Sequence, residues 1–288
     1  MFIKGKINLG DLRTEVGGTL KRLRPAVRRN KKTVVAGLML LLLAGIAYAG
    51  PRAVVTASQN AMAASKELPI YCVDRKDKVV ALTFDAAWGN EDTQQILDIL
   101  EKHNVKVTFF ATGGWVETYP EDVKKIIDAG HAFGNHSENH KFMTKLSDEQ
   151  KKQELMKVHD KVKALTGYEM CLFRPPYGDY NDAVVRTAES LGYYTIQWSV
   201  DSLDWKDYGV DSIIKTVTQH KNLDSGAIIL MHNGAKYTAD ALDSVITNLK
   251  EQGYSFVTVA QLIHTGKYHI DHTGKQIAAG FPLILPFA

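Results

Sequence analysis

The sequence is poor in several things, and each scarcity removes a class of protein. Two cysteines in 288 residues exclude a disulfide-built scaffold and any cysteine-rich zinc module. No glycine-rich phosphate loop follows a candidate strand, so the nucleotide-binding version of an open α/β sheet has little support. There is no internal repeat. Charge of one sign is also scarce in most of the chain. Residues 53–288 hold 24 Lys/Arg against 30 Asp/Glu, a net of −6, with no basic excess to grip nucleic-acid phosphates.

What is present begins with an asymmetry. The whole chain carries +3, but residues 1–52 contain 11 Lys/Arg and only two acids, Asp11 and Glu15, a net of +9. The body of roughly 220 residues is large enough for one sizeable core, and its 45% hydrophobic and 23% charged residues are those of a globular chain.

The basic run Arg28–Lys32 abuts an uncharged stretch, VVAGLMLLLLAGIAYA, from Val34 to Ala49. At ~1.5 Å per residue a helix of this length spans ~24 Å. Thr33, Gly50 and snorkelling Lys and Arg carry it towards the ~30 Å of a bilayer core. This stretch reads as an uncleaved anchor over 33–50, or as a signal cleaved after Ala47-Tyr48-Ala49. Either way, residues 1–32 stay in the cytoplasm and the body works outside it. Residues 51–68 are small and polar and read as a linker. A catalytic domain is expected over 69–265 and a tail over 266–288.

Within the body, apolar β-prone runs alternate with helical periodicity. Pro69–Val73 and Val79–Phe84 suggest a hairpin leading into a buried strand. Helices are expected over Thr93–His103, Pro120–Ala129, Ser147–Leu165, Asp182–Leu191, Val210–His220 and Ala239–Gln252. Strands are expected over Val105–Ala111, His131–Asn135, Leu172–Arg174, Tyr193–Trp198, Ala227–Met231 and Phe256–Val259. Ser147 with Gln150 forms a capping-box pattern. Such alternation gives a parallel sheet, and seven or eight units favour a closed or nearly closed barrel, whose chemistry lies at the strand C-termini.

Five polar clusters fall at those ends: Thr83-Phe84-Asp85-Ala86-Ala87-Trp88-Gly89, His136-Ser137-Glu138-Asn139-His140, Arg174-Pro175-Pro176-Tyr177-Gly178, Asp201-Ser202-Leu203-Asp204-Trp205 and Leu230-Met231-His232-Asn233. Each has an ordinary reading as a cap, turn or packed side chain. Two histidines four apart would share one helical face and reach one cation. Two prolines stiffen the loop after Arg174. Five such clusters at one face are hard to assign to chance.

In this order the motifs resemble those of NodB-type polysaccharide deacetylases (carbohydrate esterase family 4), with the TFDAAWG variant similar to the PdaB-like branch of spore-forming bacteria. The resemblance covers about residues 79–263. It implies an α/β fold, a distorted (β/α)7 barrel, and metal-dependent removal of N-acetyl groups from peptidoglycan or chitin-like glycan. It also implies roles: Asp85 as general base, Arg174 as its partner, His136 and His140 as metal ligands, the Tyr177 amide as an oxyanion donor, and His232 as general acid oriented by Asp204. Trp205 and Leu230 would wall the acetyl pocket. Neutral imidazoles suit Zn or Co.

One position departs from the pattern. The family's second Asp, a metal ligand, is replaced by Ala86, which should weaken metal binding. A metal-poor, weakly active or inactive glycan-binding domain and an O-acetyl polysaccharide esterase therefore stand as alternatives. The expected partners are the glycan and, through residues 33–50, the membrane; no protein partner is evident. Cys72 and Cys171 are either a disulfide or two thiols. His264, His269 and His272 read as exposed tail residues. Trp115, Tyr119 and Tyr180 either line a sugar groove or pack in the core, and Phe281–Ala288 reads as an apolar terminus that packs back on the body or touches another chain or the bilayer.

Overall fold

The computed structural model describes residues 66–279. Segments 1–32 and 33–50, most of the linker, and Phe281–Ala288 lie outside the described residues. Among the described residues no helix is long and apolar enough to cross a membrane.

Eleven strands form one sheet: β1 (Cys72–Val73), β2 (Val79–Ala86), β3 (Thr108–Ala111), β4 (Ala132–Asn135), β5 (Leu172–Phe173), β6 (Tyr194–Thr195), β7 (Val200–Asp201), β8 (Ala227–Asn233), β9 (Ser255–Phe256), β10 (Tyr268–Ile270) and β11 (Lys275–Ala278). The helices between them are α1 (Thr93–Lys102), α2 (Gly113–Thr118), α3 (Pro120–Asp128), α4 (Asp148–Thr166), α5 (Asp182–Ser190), α6 (Val210–Thr218), α7 (Thr238–Glu251) and α8 (Val259–Leu262). β2 to β6 lie side by side in chain order and parallel. β8 flanks β2 on its other side, also parallel, and carries β7.

The α/β class is as expected, but where a closed or nearly closed (β/α)7 barrel was expected the strands form a curled, largely parallel sheet. The curl is a half-barrel in character because β5, β6 and β7 are only two residues long. Isolated bonds hold the wall there: Ile196 N to Phe173 O at 2.8 Å, Gln197 N to Ile70 O at 2.7 Å and Ser199 N to Ile228 O at 3.0 Å.

Alternation along β2 builds both layers. Val80, Leu82, Phe84 and Ala86 join the apolar cluster of Ile96, Leu100, Val245 and Leu249 from α1 and α7. Val79 and Ala81 belong to a second cluster with Phe110, Leu172, Ile196 and Ile228. Full burial of each large aliphatic contributes about 1.5–3 kcal/mol. The row that begins with Val79 and Ala81 continues as Thr83 and Asp85, so one strand passes from apolar floor to polar rim. The Ser147/Gln150 capping box opens α4, and Gly167, at φ +76°, ends it.

Four expectations are corrected. Pro69–Val73 does not pair with β2; β1 pairs with β11 in parallel and β8 in antiparallel, because the start of β2 is already flanked by β8 and β9. The last expected strand stops at Phe256, and Thr258 caps α8 instead. The stretch taken as a tail contains the β10–β11 hairpin, in which Gln276 is buried and bonds both the amide and the carbonyl of His264. His264 is accordingly half-buried, whereas His269 and His272 are exposed. Of the two alternatives for Cys72 and Cys171, the structure shows free thiols.

Candidate functional site

Asp85 ends the inner row of β2, and the strand register sets it directly beside His232 of β8. Arg174, fully buried just past β5, reaches across: Nη1 donates to Asp85 Oδ1 at 2.6 Å and to Thr83 Oγ1 at 2.9 Å, and Nη2 to the Gln197 carbonyl at 3.3 Å. The guanidinium lies 4.2 Å over the Phe110 ring. Burial pushes the Asp85 carboxyl up, but the Arg174 charge beside it, helped by His136 and His232, holds it below the ordinary carboxylate value. Asp85 is therefore an anion without access to bulk water.

His136 and His140 converge, though not by the helical spacing read from the sequence. Residues 136–140 form an irregular loop. Ser137 and His140 adopt left-handed backbone, at φ +65° and +52°. Asn135 Oδ1 takes the Ser137 amide at 2.9 Å, and the Ser137 hydroxyl takes the His140 amide at 3.1 Å. The result brings the two Nε2 atoms to 3.2 Å. His136 Nδ1–H donates to the Arg174 carbonyl at 2.8 Å, so its Nε2 carries a lone pair. Burial first, then the neighbouring His136, brings the His140 pKa down to about 4; both rings are neutral donors at ordinary pH.

The donor set fits a borderline divalent cation at two positions. Asp85 Oδ2 stands 3.6 Å from His136 Nε2, while its other oxygen serves Arg174. Among the described residues no three His, Cys, Asp or Glu side chains gather as a metal cluster. The departure at Ala86 explains this: that side chain is fully buried with the outer apolar cluster and offers no oxygen.

Asp204 is fully buried and fully used. Oδ1 accepts from His232 Nδ1 at 2.7 Å and the Trp205 amide at 2.9 Å; Oδ2 accepts from the His232 amide at 2.7 Å and Thr238 Oγ1 at 2.6 Å. Burial lowers the His232 pKa, but the bond and charge of Asp204 overcome it and hold it above the ordinary histidine value. His232 Nε2 is left to face outward. Leu230, buried on the same strand face, pairs in register with Thr83 and Asp201. Trp205 is exposed in the Asp204–Lys206 turn, with Lys206 over its ring.

Tyr177 sits between the two prolines and Gly178 at φ +61°. Its ring stacks on Phe142 at 4.3 Å and meets His140 edge-on at 4.5 Å. Four of the six non-glycine residues with positive φ among the described residues, Ser137, His140, Tyr177 and Leu203, lie in these loops. Strain of this kind persists where surrounding structure over-determines it.

Direct contacts thus join Asp85, Arg174 and His136, His136 with His140 and His140 with Tyr177, and strand register sets Asp85 beside His232, which Asp204 holds; Leu230 lies two residues before His232 on the same strand, and Trp205 joins through its backbone amide to Asp204. A family model for "Polysaccharide deacetylase" matches residues 73–196. The chain is 38% identical over 201 residues to the peptidoglycan-N-acetylmuramic acid deacetylase PdaA of Bacillus subtilis, covering 67% of this chain and 74% of that one. It belongs to the polysaccharide deacetylase family. Relatives in this family include peptidoglycan deacetylases, hydrolases of carbohydrate esterase family 4. The Listeria monocytogenes peptidoglycan-N-acetylglucosamine deacetylase PgdA is 40% identical over 207 residues, 70% of this chain and 43% of that one. Among solved structures, a Bacillus anthracis protein described as a carbohydrate esterase family 4 pseudoenzyme matches with TM-score 0.65 and 41% identity, covering 67% of this chain and 68% of that one. A mutant of that protein with restored enzymatic activity matches equally well, at TM-score 0.65 and 42% identity.

Sequence reasoning missed the supports of this site. Thr83 and Gln197 accept from Arg174, Thr238 donates to Asp204, and Asn135 holds the loop that carries the two histidines. Thr83, two residues before Asp85 on the same strand face, is the one that periodicity could have found. Trp115, by contrast, is a core residue, its indole N–H bonded to the Gly89 carbonyl at 3.0 Å, and Tyr119 and Tyr180 pack half-buried against the core.

Proposed function

We propose that this chain hydrolyses N-acetyl groups of cell-wall glycan, peptidoglycan or a chitin-like oligosaccharide, outside the cytoplasm, tethered by residues 33–50. The observation that carries the reading is the register pairing of Asp85 with His232. It sets an anion held by Arg174 beside an imidazole held by Asp204. Asp85 takes a proton from the attacking water. The new C–O bond places negative charge on the carbonyl oxygen, which the Tyr177 N–H meets. Such a donor is typically worth ~3–4 kcal/mol. His232 Nε2–H gives its proton to the sugar nitrogen as the C–N bond breaks, leaving acetate and a free amine. Leu230 and Trp205 flank the acetyl methyl. A divalent cation, Zn or Co, held by His136 and His140 would supply Lewis acidity and a more acidic water.

Ala86 and the similarity to a pseudoenzyme favour a second reading, a metal-poor domain that binds glycan with little or no turnover. Acetate release from N-acetylated peptidoglycan, with and without added Zn or Co, separates the two. Release supports the first reading; none under any metal, with glycan binding retained, establishes the second. Release from O-acetyl but not N-acetyl glycan makes the protein an esterase. A reporter fused after Ala288 that functions only outside the cytoplasm tests the topology, and a mature chain starting at Gly50 indicates cleavage.

A further inference from the structure

The loop joining β2 to α1 carries a residue that none of the family roles above assigns. Trp88 is 44% exposed, and its indole stacks on the His232 imidazole with ring centroids 5.6 Å apart and planes 20° from parallel. Two anchors fix the loop beneath it. The Gly89 carbonyl accepts from Trp115 Nε1 at 3.0 Å and from Asn233 Nδ2 at 3.2 Å. Asp92 Oδ1 accepts the Gly234 amide at 2.8 Å, and Thr93 Oγ1 donates to Asn233 Oδ1 at 2.9 Å. Gly234 has φ +86°, and a Cβ there would stand 3.0 Å from the indole Cδ1. The glycine is what lets the ring lie so near the strand. Trp88 therefore sits on a loop held from two sides, by Trp115 of α2 and by Asn233 and Gly234 at the end of β8.

We propose that Trp88 is a positioning residue for His232, holding the imidazole plane so that Nε2 points at the leaving nitrogen. This rests on the role given to His232 above. Asp204 fixes only one edge of the ring, through Nδ1; rotation about that bond is stopped by a surface lying against the ring face. An indole face also favours the imidazolium that exists before proton transfer. Leucine keeps apolar cover and removes the flat π surface, whereas phenylalanine keeps both.

The chemistry supplies a discriminating assay. An amine leaves only when protonated, so N-acetyl hydrolysis depends on the general acid; a nitrophenolate leaves without a proton, so 4-nitrophenyl acetate hydrolysis does not. Trp88→Leu should lower kcat for N-acetylated glycan at least tenfold more than for the aryl ester, with KM for glycan changed less than kcat, and Trp88→Phe should recover most of the loss. Equal losses on both substrates, or no recovery by phenylalanine, would overturn the proposal. A second readout needs no turnover. The His232 ring protons, under the indole, should be shifted upfield in the NMR spectrum of the native chain, and the shift should vanish in Trp88→Leu. Should the native chain release no acetate, the proposed activity fails, and an unchanged His232 resonance in Trp88→Leu then refutes the positioning role separately.

Discussion

Replacing Arg174 by methionine tests the electrostatic core of the site most directly. Methionine fills a similar volume and keeps contact with the Phe110 ring, but removes the bonds to Asp85, Thr83 and the Gln197 carbonyl. Asp85, buried at the rim, is then a carboxylate without its counter-charge. Breaking one partner of such a pair costs about 3–5 kcal/mol, mostly from the charge left behind. The cost is avoided if both partners go, so Arg174→Met/Asp85→Leu should regain most of the stability lost in Arg174→Met. The pH dependence has a definite sign. In the native protein the Asp85 pKa is depressed, so its stabilisation is present above the unfolded carboxylate value and lost as pH falls through the folded one. In Arg174→Met only burial and the weaker histidine effects remain, the pKa rises, and the variant should gain stability relative to native as the medium becomes acidic. Urea unfolding of native, single and double variants at neutral and mildly acidic pH measures all three effects. Activity at pH 7 should fall by about 100-fold or more, the lower range for a general base. A double variant as unstable as Arg174→Met would refute the reasoning.

Three further outcomes follow from the same geometry. Asp204→Asn removes the charge that raises the His232 pKa, so the alkaline limb of kcat/KM should move to lower pH and kcat should fall roughly 100-fold; an unmoved limb would take the acid role from His232. Because burial and His136 hold His140 neutral down to about pH 4, zinc binding followed by calorimetry should weaken nearer pH 4 than pH 6.5, and His140→Ala should abolish metal-stimulated activity. Ala86→Asp places a carboxylate in a fully buried apolar setting, so in chelator it should lower the melting temperature, at a cost of roughly several kcal/mol. Added zinc should then raise that temperature more than in the native chain; an equal rise would mean that the new carboxylate does not reach the cation.

Much of this was legible in the chain itself because it depends on local periodicity. The run from Val79 to Ala86 is apolar enough to be a buried strand, and its two-residue period already separates Asp85 from Ala86. The start of α4 was equally readable, because the Ser147/Gln150 capping box marks it. The partnership of the short strands was not. β1 looked like half of a hairpin, and only the prior claim of β8 and β9 on the start of β2 sends it to β11. The spacing of His136 and His140 suggested a helix; a left-handed loop achieves the same convergence because Asn135 and Ser137 supply the hydrogen bonds that a helix would have made.

The sequence by itself determined the α/β class and, through the order of its motifs, the membership of the family, since these are fixed by residue type and order. It also showed that a carboxylate is missing at Ala86. Tertiary structure alone decided how the motif residues act on one another. The ionised state of Asp85 comes from an arginine 89 positions away, the orientation of His232 from an aspartate 28 positions away, and the cover on its ring from Trp88 on the neighbouring loop. Charge, burial and stacking depend on distances across the sheet, and only the curl of that sheet makes those distances short.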